Sequence, residues 1–210
     1  MTGPDAGEDA GPVDGVNTDD SNTDDAQRST APAPRPDCRL VEGRLTVDDL
    51  DRFLARLDAV GTATGAVVQA FDADYVVDAR HLRRATRLAA RAIARETAVA
   101  RDPGVEILLY AAGRRQIDRA LRMGVSLGEN RVVLVAADFG DVPNAARSSA
   151  DLDAAVDRLS SAVTSEPTLG RFDEPSVREY YDITDRELAA TLGDLPAVVH
   201  ERVALLDVEK

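Results

Sequence analysis

A set of arginines recurs at helical spacing between residues 80 and 95. Its members lie four, three, four and four residues apart: Arg80, Arg84, Arg87, Arg91 and Arg95. On an α-helix this spacing places them on one face. The small and aliphatic residues between them lie on the opposite face, as in a helix packed on a core. Residues 79–99 are therefore predicted to form an amphipathic helix with Asp78 as its N-cap, and no acid within 80–95 neutralises its charges.

The charge of this segment is opposite to that of the whole chain. The sequence contains 38 acidic residues against 25 basic ones, and its formal net charge is −13. A positive face retained on a negative body indicates a docking place for a specific anion. All basic residues except Lys210 are arginine. An acid excess with almost no lysine is typical of a salt-loaded cytoplasm, so we expect a halophilic archaeon as the source.

Three further features argue against a disulfide-dependent, a membrane-spanning or a secreted protein. Cys38 is the sole cysteine, so the fold does not depend on an internal disulfide. No apolar run approaches the ~20 residues that cross a bilayer. The N-terminus is acidic and unlike a signal peptide. We therefore expect a cytoplasmic protein that has no membrane contact.

The composition changes at about residue 36. Residues 1–36 are rich in Gly, Pro, Asp, Thr and Asn and cannot bury enough apolar surface to offset their ordering entropy, so we predict an acidic disordered tail. Residues 37–210 alternate between strand-like and helix-like segments, which indicates a single α/β domain. We predict a sheet of about four strands, six or seven helices, and a helical C-terminal third. The predicted strands are 38–45, 65–72, 105–111 and 131–137.

Motifs for catalysis are absent from the sequence. It contains no glycine-rich phosphate loop of the G-x-x-x-x-G-K-[ST] or G-x-G-x-x-G type, no C-x-x-C pair and no H-E-x-x-H helix. We therefore expect a protein that is not an enzyme, with no cofactor and no metal. A small metal-dependent enzyme built on Asp72, Asp74 and His81 stays open as an alternative. Turn formation is the simpler explanation for the two aspartates.

A second group of motifs lies between residues 78 and 125. Its parts are His81-Leu82, the run Glu-Ile-Leu-Leu-Tyr-Ala at 106–111, Gly113-Arg114, Arg115-Gln116-Ile117 and Met123-Gly124. This stretch resembles the kinase-binding (TPRKB-type) regulatory subunit of KEOPS, the complex that makes threonylcarbamoyl-adenosine in tRNA. Residues 131–137 and 203–207 are also similar to that family, and the resemblance covers about 38–208.

The resemblance implies a non-catalytic protein with one α/β domain and two partners. Members of the family bind the N-terminal lobe of the small atypical KEOPS kinase and promote its activity. Archaeal members hold the single-stranded CCA end of tRNA. For this chain we therefore expect a KEOPS kinase subunit and the 3′ end of tRNA as partners.

The tRNA site is predicted on the arginine face and at the turn after residue 113. Guanidinium groups pair with phosphate oxygens and stack on bases, which suits a single-stranded end. A helix that starts after Gly113 would offer free backbone N–H groups to a phosphate, and the amide of Gln116 is suited to a base edge. The predicted tRNA-binding residues are Arg80, Arg84, Arg87, Arg91, Arg114, Arg115 and Gln116.

The kinase site is predicted on the last helix, at about 197–208. Its apolar residues cover more than one narrow stripe, so one side would face the core and the other a partner. The predicted contact residues are Val199, Val203 and Leu206. A helix packed on two neighbours explains the pattern equally well. A scaffold that contacts no RNA is the second open alternative for the whole protein.

Overall fold

The central element of the fold is an antiparallel β-sheet. The computed structural model describes residues 33–207, and its strands are β1 (Cys38–Val47), β2 (Val67–Asp72), β3 (Gly128–Ala137) and β4 (Thr164–Ser165). They lie side by side in the order β2-β3-β1-β4. Strand β1 pairs with β3 from Cys38 opposite Ala137 to Val47 opposite Gly128, so the sheet is built around one long antiparallel pair of strands that are distant in the sequence.

Eight α-helices surround this sheet within residues 33–207. They are α1 (Leu50–Thr64), α2 (Ala79–Ala94), α3 (Pro103–Ala112), α4 (Ile117–Ala120), α5 (Leu152–Ser160), α6 (Glu174–Tyr180), α7 (Asp185–Ala190) and α8 (Leu195–Leu205). Short 3-10 turns lie at Ala73–Tyr75 and Leu121–Met123. The predicted fold class, a four-stranded α/β domain with a mainly helical C-terminal third, is confirmed.

Helices cover both faces of the sheet. Strand β3 shows this, since every residue from Val132 to Ala137 is buried. Side chains alternate between faces along a strand. Val133 and Val135 join a core with α2, α3 and α8, whereas Leu134 joins a second core with α1 and α5. The arginine helix α2 and the last helix α8 therefore lie on the same side of the sheet.

Aspartate side chains cap the N-termini of most of the helices. Asp78 Oδ1 accepts the His81 amide at 2.7 Å, which confirms the predicted N-cap of α2. Thr184 caps α7 by accepting the Glu187 amide at 3.2 Å. The Glu187 carboxylate pairs with Arg202 of α8 at 2.7 Å. Caps of this kind satisfy backbone N–H groups that have no partner within the helix.

One predicted strand is wrong, because residues 105–111 lie in helix α3. Asp102 Oδ1 accepts the Val105 amide at 3.0 Å, and Pro103 occupies the first helical turn. Both faces of α3 are covered, with Ile107 and Leu109 buried, which produces the continuous apolar run. The fourth strand is instead the two-residue β4, in the region predicted to hold only helices.

The described residues from Pro34 onward form one compact unit. The predicted tail at 1–36 lies outside the described residues except for 33–36, so its disorder stays a prediction. Within 33–207 no helix is both long enough and apolar enough to span a bilayer.

Candidate nucleic-acid interface

Helix α2 presents its arginines on an exposed face because its other face is buried. Leu82, Ala85 and Ala89 are each fully buried against the core. The small side chains of Ala85 and Ala89 allow α2 to lie close to α3, the helix that it contacts most. The 3.6-residue period then directs the arginines away from the core.

The first half of this face has no acidic partner. Within residues 33–207, no carboxylate lies within 4 Å of the guanidinium groups of Arg80, Arg84 or Arg87. Partial burial, followed by repulsion from Arg80, Arg87 and Arg91, lowers the pKa of Arg84. Positive charges are therefore held together without compensation, which favours an anionic ligand.

Sequence reasoning missed Arg83, which belongs to the same face. At about 100° per residue, Arg83 lies about 60° around the helix from Arg80 and about 40° from Arg87. Its side chain is exposed, and its carbonyl accepts Nε of Arg87 at 3.3 Å. The spacing of three and four residues to its neighbours could have identified it. We define the open arginine face as Arg80, Arg83, Arg84 and Arg87.

Arg91 continues this face but is paired within the chain. Its Nη2 forms an ion pair with the Asp207 carboxylate, directly after α8. Its Nε is buried and has no hydrogen-bond partner among the described residues. The fold therefore provides a hydrogen-bond partner for Nη2 of Arg91 but not for its Nε.

The turn after α3 holds the remaining predicted RNA contacts. Gly113 ends α3 with a left-handed φ of 59°, so the chain reverses there. Arg115 Nη2 donates to the Leu206 carbonyl at 3.3 Å, at the end of α8. Gln116 is exposed and precedes α4, which has only four residues. The helix predicted to start after Gly113 therefore begins only at Ile117, and the anion site predicted at its start stays a prediction.

Arg114 is directed into the protein. Its Nη2 bonds the Tyr180 carbonyl and lies 3.0 Å from Asp182 Oδ2. Its guanidinium also lies 5.2 Å from the centroid of the Tyr180 ring. These contacts clamp the turn to α6, so the structure assigns Arg114 a structural contact where the sequence predicted an RNA contact.

Helix α8 carries its apolar residues into the core. Val199, Val203 and Leu206, the predicted kinase contacts, are all buried within this chain. Direct contact of these side chains with a kinase would require α8 to leave the core. Leu205, between two of them, is exposed. The apolar surface of α8 is broad because the core of the same chain covers it.

The histidines and tyrosines near this face form a buried network. His81 Nε2 donates to the Ala111 carbonyl at 2.9 Å, and the Tyr181 hydroxyl donates to the same carbonyl at 2.7 Å. Burial lowers the pKa of His81 to about 4. His200 Nε2 donates to Asp78 Oδ2 at 2.9 Å, joining α8 to the start of α2. This network fixes the helices behind the arginine face.

The residues of the alternative metal site do not converge. Asp72 Oδ1 accepts the Asp74 amide at 3.0 Å, and Asp74 Oδ1 pairs with Arg131 Nη1 at 2.7 Å. His81 is enclosed by Ala111 and Tyr181 instead. No group of three His, Cys, Asp or Glu side chains suited to a metal exists in the part of the chain that the structure describes. Turn formation accounts for Asp72, and the ion pair with Arg131 accounts for Asp74.

Comparison with known proteins identifies a family for this chain. The sequence matches the family described as "Kinase binding protein CGI-121" over residues 54–207, which is 154 of the 210 residues. The matched range includes α2, the turn at 113–116 and α8. A search of curated protein sequences returned no match.

Proposed function

Because the chain belongs to the CGI-121 family of kinase-binding proteins, we propose that it is a non-catalytic subunit of KEOPS that binds two partners. The first partner is the small atypical kinase of the complex, and the second is the single-stranded 3′ CCA end of tRNA. The protein thereby supports threonylcarbamoyl-adenosine formation in tRNA, in the cytoplasm of a halophilic archaeon. The open arginine face is the observation that carries the RNA part of this proposal.

The open arginine face suits a single strand of RNA. From Arg80 to Arg87 it extends about 10 Å along the helix axis. Guanidinium groups can bind phosphate through two parallel hydrogen bonds and can stack on bases. At high salt the long-range attraction is screened, so direct hydrogen bonds and stacking contribute more. A compact set of arginines offers both kinds of contact.

The exposed apolar pair Ile117 and Leu121 supports a kinase site beside the turn. These side chains are 43% and 56% exposed and lie four residues apart in sequence, across α4 and the following 3-10 turn. Apolar side chains at this spacing are neighbours on a helical surface, and adjoining exposed apolar groups are typical of an interaction site. We assign the kinase to this pair because membership in a kinase-binding family requires such a surface.

The RNA part is tested by charge reversal on α2. Arg84→Glu with Arg87→Glu should weaken binding of tRNA at least about tenfold, because two of four phosphate-binding charges are reversed. The matched control is Arg52→Glu with Arg56→Glu on α1, an exposed arginine pair on the opposite side of the sheet. Fluorescence anisotropy with intact tRNA, and with tRNA lacking its CCA end, gives the affinities.

Four open guanidinium groups also predict a salt dependence. The logarithm of the association constant should fall with log salt at a slope of about −3, from about −0.7 per phosphate contact on a single strand. Equal affinity for both tRNA forms, or equal losses in the two double variants, would favour the scaffold without RNA contact.

The kinase part is tested on the apolar pair. Ile117→Asp with Leu121→Asp should abolish binding of the KEOPS kinase in calorimetry while tRNA affinity is retained. Leu127→Asp is the control, because Leu127 is a single exposed leucine outside the pair. Retention of kinase binding by the double variant would exclude this surface.

A further inference from the structure

The end of α8 lies between two arginines that come from different elements. Arg91 of α2 pairs with the Asp207 carboxylate, and Arg115 donates to the Leu206 carbonyl at 3.3 Å. The Tyr110 hydroxyl donates to the second carboxylate oxygen, Asp207 Oδ1, at 3.4 Å. One carboxylate and one helix-end carbonyl are therefore held by two cations and a hydroxyl.

This arrangement offers the arginines oxygen acceptors that carry negative charge, as the oxygens of a phosphodiester do. The last carbonyls of a helix carry partial negative charge, and Asp207 adds a full negative charge beside them. A carboxylate at this end is opposed by the helix dipole. The position of Asp207 is therefore explained by Arg91 and Tyr110, and α8 alone does not favour it.

The carboxylate is an incomplete ligand for Arg91. It bonds Nη2, while Nε of the same guanidinium is buried and has no hydrogen-bond partner within residues 33–207. A phosphate can bind Nε and Nη2 together, in the two-point geometry that guanidinium groups favour. An unpartnered buried donor also lowers the stability of the free state. Exchange of the carboxylate for a phosphate would relieve this defect.

The position of Arg91 extends the open arginine face. It lies one helical turn beyond Arg87 and about 40° around the helix from it. A strand bound along Arg80 to Arg87 would thus reach Arg91 with its next phosphate. Arg115 binds the same helix end, because its partner Leu206 is adjacent in the chain to Asp207, the partner of Arg91.

We propose that Arg91 and Arg115 form a second phosphate subsite, which the end of α8 occupies in the free chain and an RNA phosphate occupies in the complex. This inference rests on the proposed RNA binding. In it Asp207 is an internal competitor that lowers the affinity for RNA. The contacts of Asp207 with Arg91 and Tyr110 and the RNA contact of Arg91 exclude each other.

The direct test is Asp207→Asn, which keeps the shape and removes the charge. It should bind a single-stranded oligoribonucleotide ending in CCA about three- to tenfold more tightly than the native chain near 0.1 M salt. Its salt slope should equal that of the native chain, because RNA displaces the end of α8 in both proteins and the same phosphates are neutralised in both complexes. The matched control is Asp185→Asn, which removes an equal charge from the exposed pair with Arg178. Unchanged or weaker binding by a folded Asp207→Asn protein overturns the subsite.

Two further measurements test the subsite without the Asp207→Asn variant, so a loss of stability in that variant does not decide the outcome. Tyr110→Phe removes one donor to Asp207 and should tighten RNA binding in the same direction by a smaller factor. In the native chain, RNA should accelerate hydrogen exchange at the Asp207 amide, which donates to the Ala204 carbonyl at 3.2 Å. Slower exchange at that amide would show that RNA does not displace the end of α8.

The outcomes separate this inference from the proposed function. If Arg84→Glu with Arg87→Glu weakens RNA binding but Asp207→Asn does not tighten it, only the subsite is rejected. If neither variant alters RNA binding relative to its control, both the subsite and the RNA function are rejected.

Discussion

Replacement of Arg114 by alanine should destabilise the fold, although the sequence places this residue among the RNA contacts. The guanidinium bonds the Tyr180 carbonyl, lies over the Tyr180 ring and pairs with Asp182. A hydrogen bond from a charged donor contributes about 1.5–3 kcal/mol, and a cation–π contact at a partly exposed site about 0.5–1 kcal/mol. The Asp182 side chain is 79% exposed, so that pair adds little.

The sum for Arg114→Ala is a loss of about 2–4 kcal/mol in the free energy of unfolding. For a chain of this length it corresponds to a melting temperature lower by about 5–15 °C. Arg122→Ala is the matched control. Its guanidinium lies 5.8 Å from the centroid of the same ring, but its side chain is 58% exposed and its acid partner is 3.7 Å away. We expect a loss below about 1 kcal/mol for that variant.

Thermal unfolding followed by circular dichroism compares the two variants with the native chain. Equal melting temperatures for Arg114→Ala and the native protein would refute the assignment of Arg114 as a clamp between the turn and α6. Any RNA defect of Arg114→Ala should disappear when affinities are measured at a temperature where the variant is fully folded. Persistence of a large defect under those conditions would return Arg114 to the RNA site.

Two buried groups lead to further predictions. The pKa of His81 is lowered to about 4 in the folded protein, against about 6.5 when unfolded, so protons bind preferentially to the unfolded chain as the pH falls through that interval. The free energy of unfolding should fall by up to about 3 kcal/mol between pH 7 and pH 4 in urea titrations, and His81→Gln should flatten this dependence. Glu106 Oε2 accepts the Val99 amide at 3.0 Å and the Ala100 amide at 2.8 Å. Glu106→Leu should therefore lower the free energy of unfolding by about 2–3 kcal/mol, and Glu106→Gln by less, since it keeps an acceptor.

Local patterns predicted the parts of the fold that depend on neighbours in sequence. The face of α2 and its Asp78 cap follow from spacing and from one side chain, and both are present. The run at 105–111 was predicted as a strand because a short apolar run does not distinguish a buried strand from a buried helix. Asp102 before Pro103 was the signal that would have decided for a helix start.

Contacts between distant parts of the chain were beyond sequence reasoning. Arg91 and Asp207 are 116 residues apart, and Arg114 and Asp182 are 68 apart. Neither pairing can be predicted without the packing of α8 on α2 and α3 and of α6 on the 3-10 turn at Ala73–Tyr75. The same packing buries Val203, so an apolar pattern that matched a partner surface proved to be covered by the chain itself. The candidate site was therefore predicted as a set of arginines, but not which of them the fold neutralises.

The open arginine face lowers the stability of the free protein. A solvated surface would not lower it, so this destabilisation distinguishes a binding site from a solvated surface. Partial burial and repulsion from three arginines disfavour the charge on Arg84, so its neutral replacement Arg84→Gln should raise the melting temperature of the free chain. The same variant should bind tRNA more weakly. A gain in stability with a loss of binding is the stability–function trade-off expected at a binding surface. Arg56→Gln on α1 should change neither property. If Arg84→Gln lowers the melting temperature and leaves tRNA affinity unchanged, then Arg84 stabilises the fold and the arginine face is not a nucleic-acid interface.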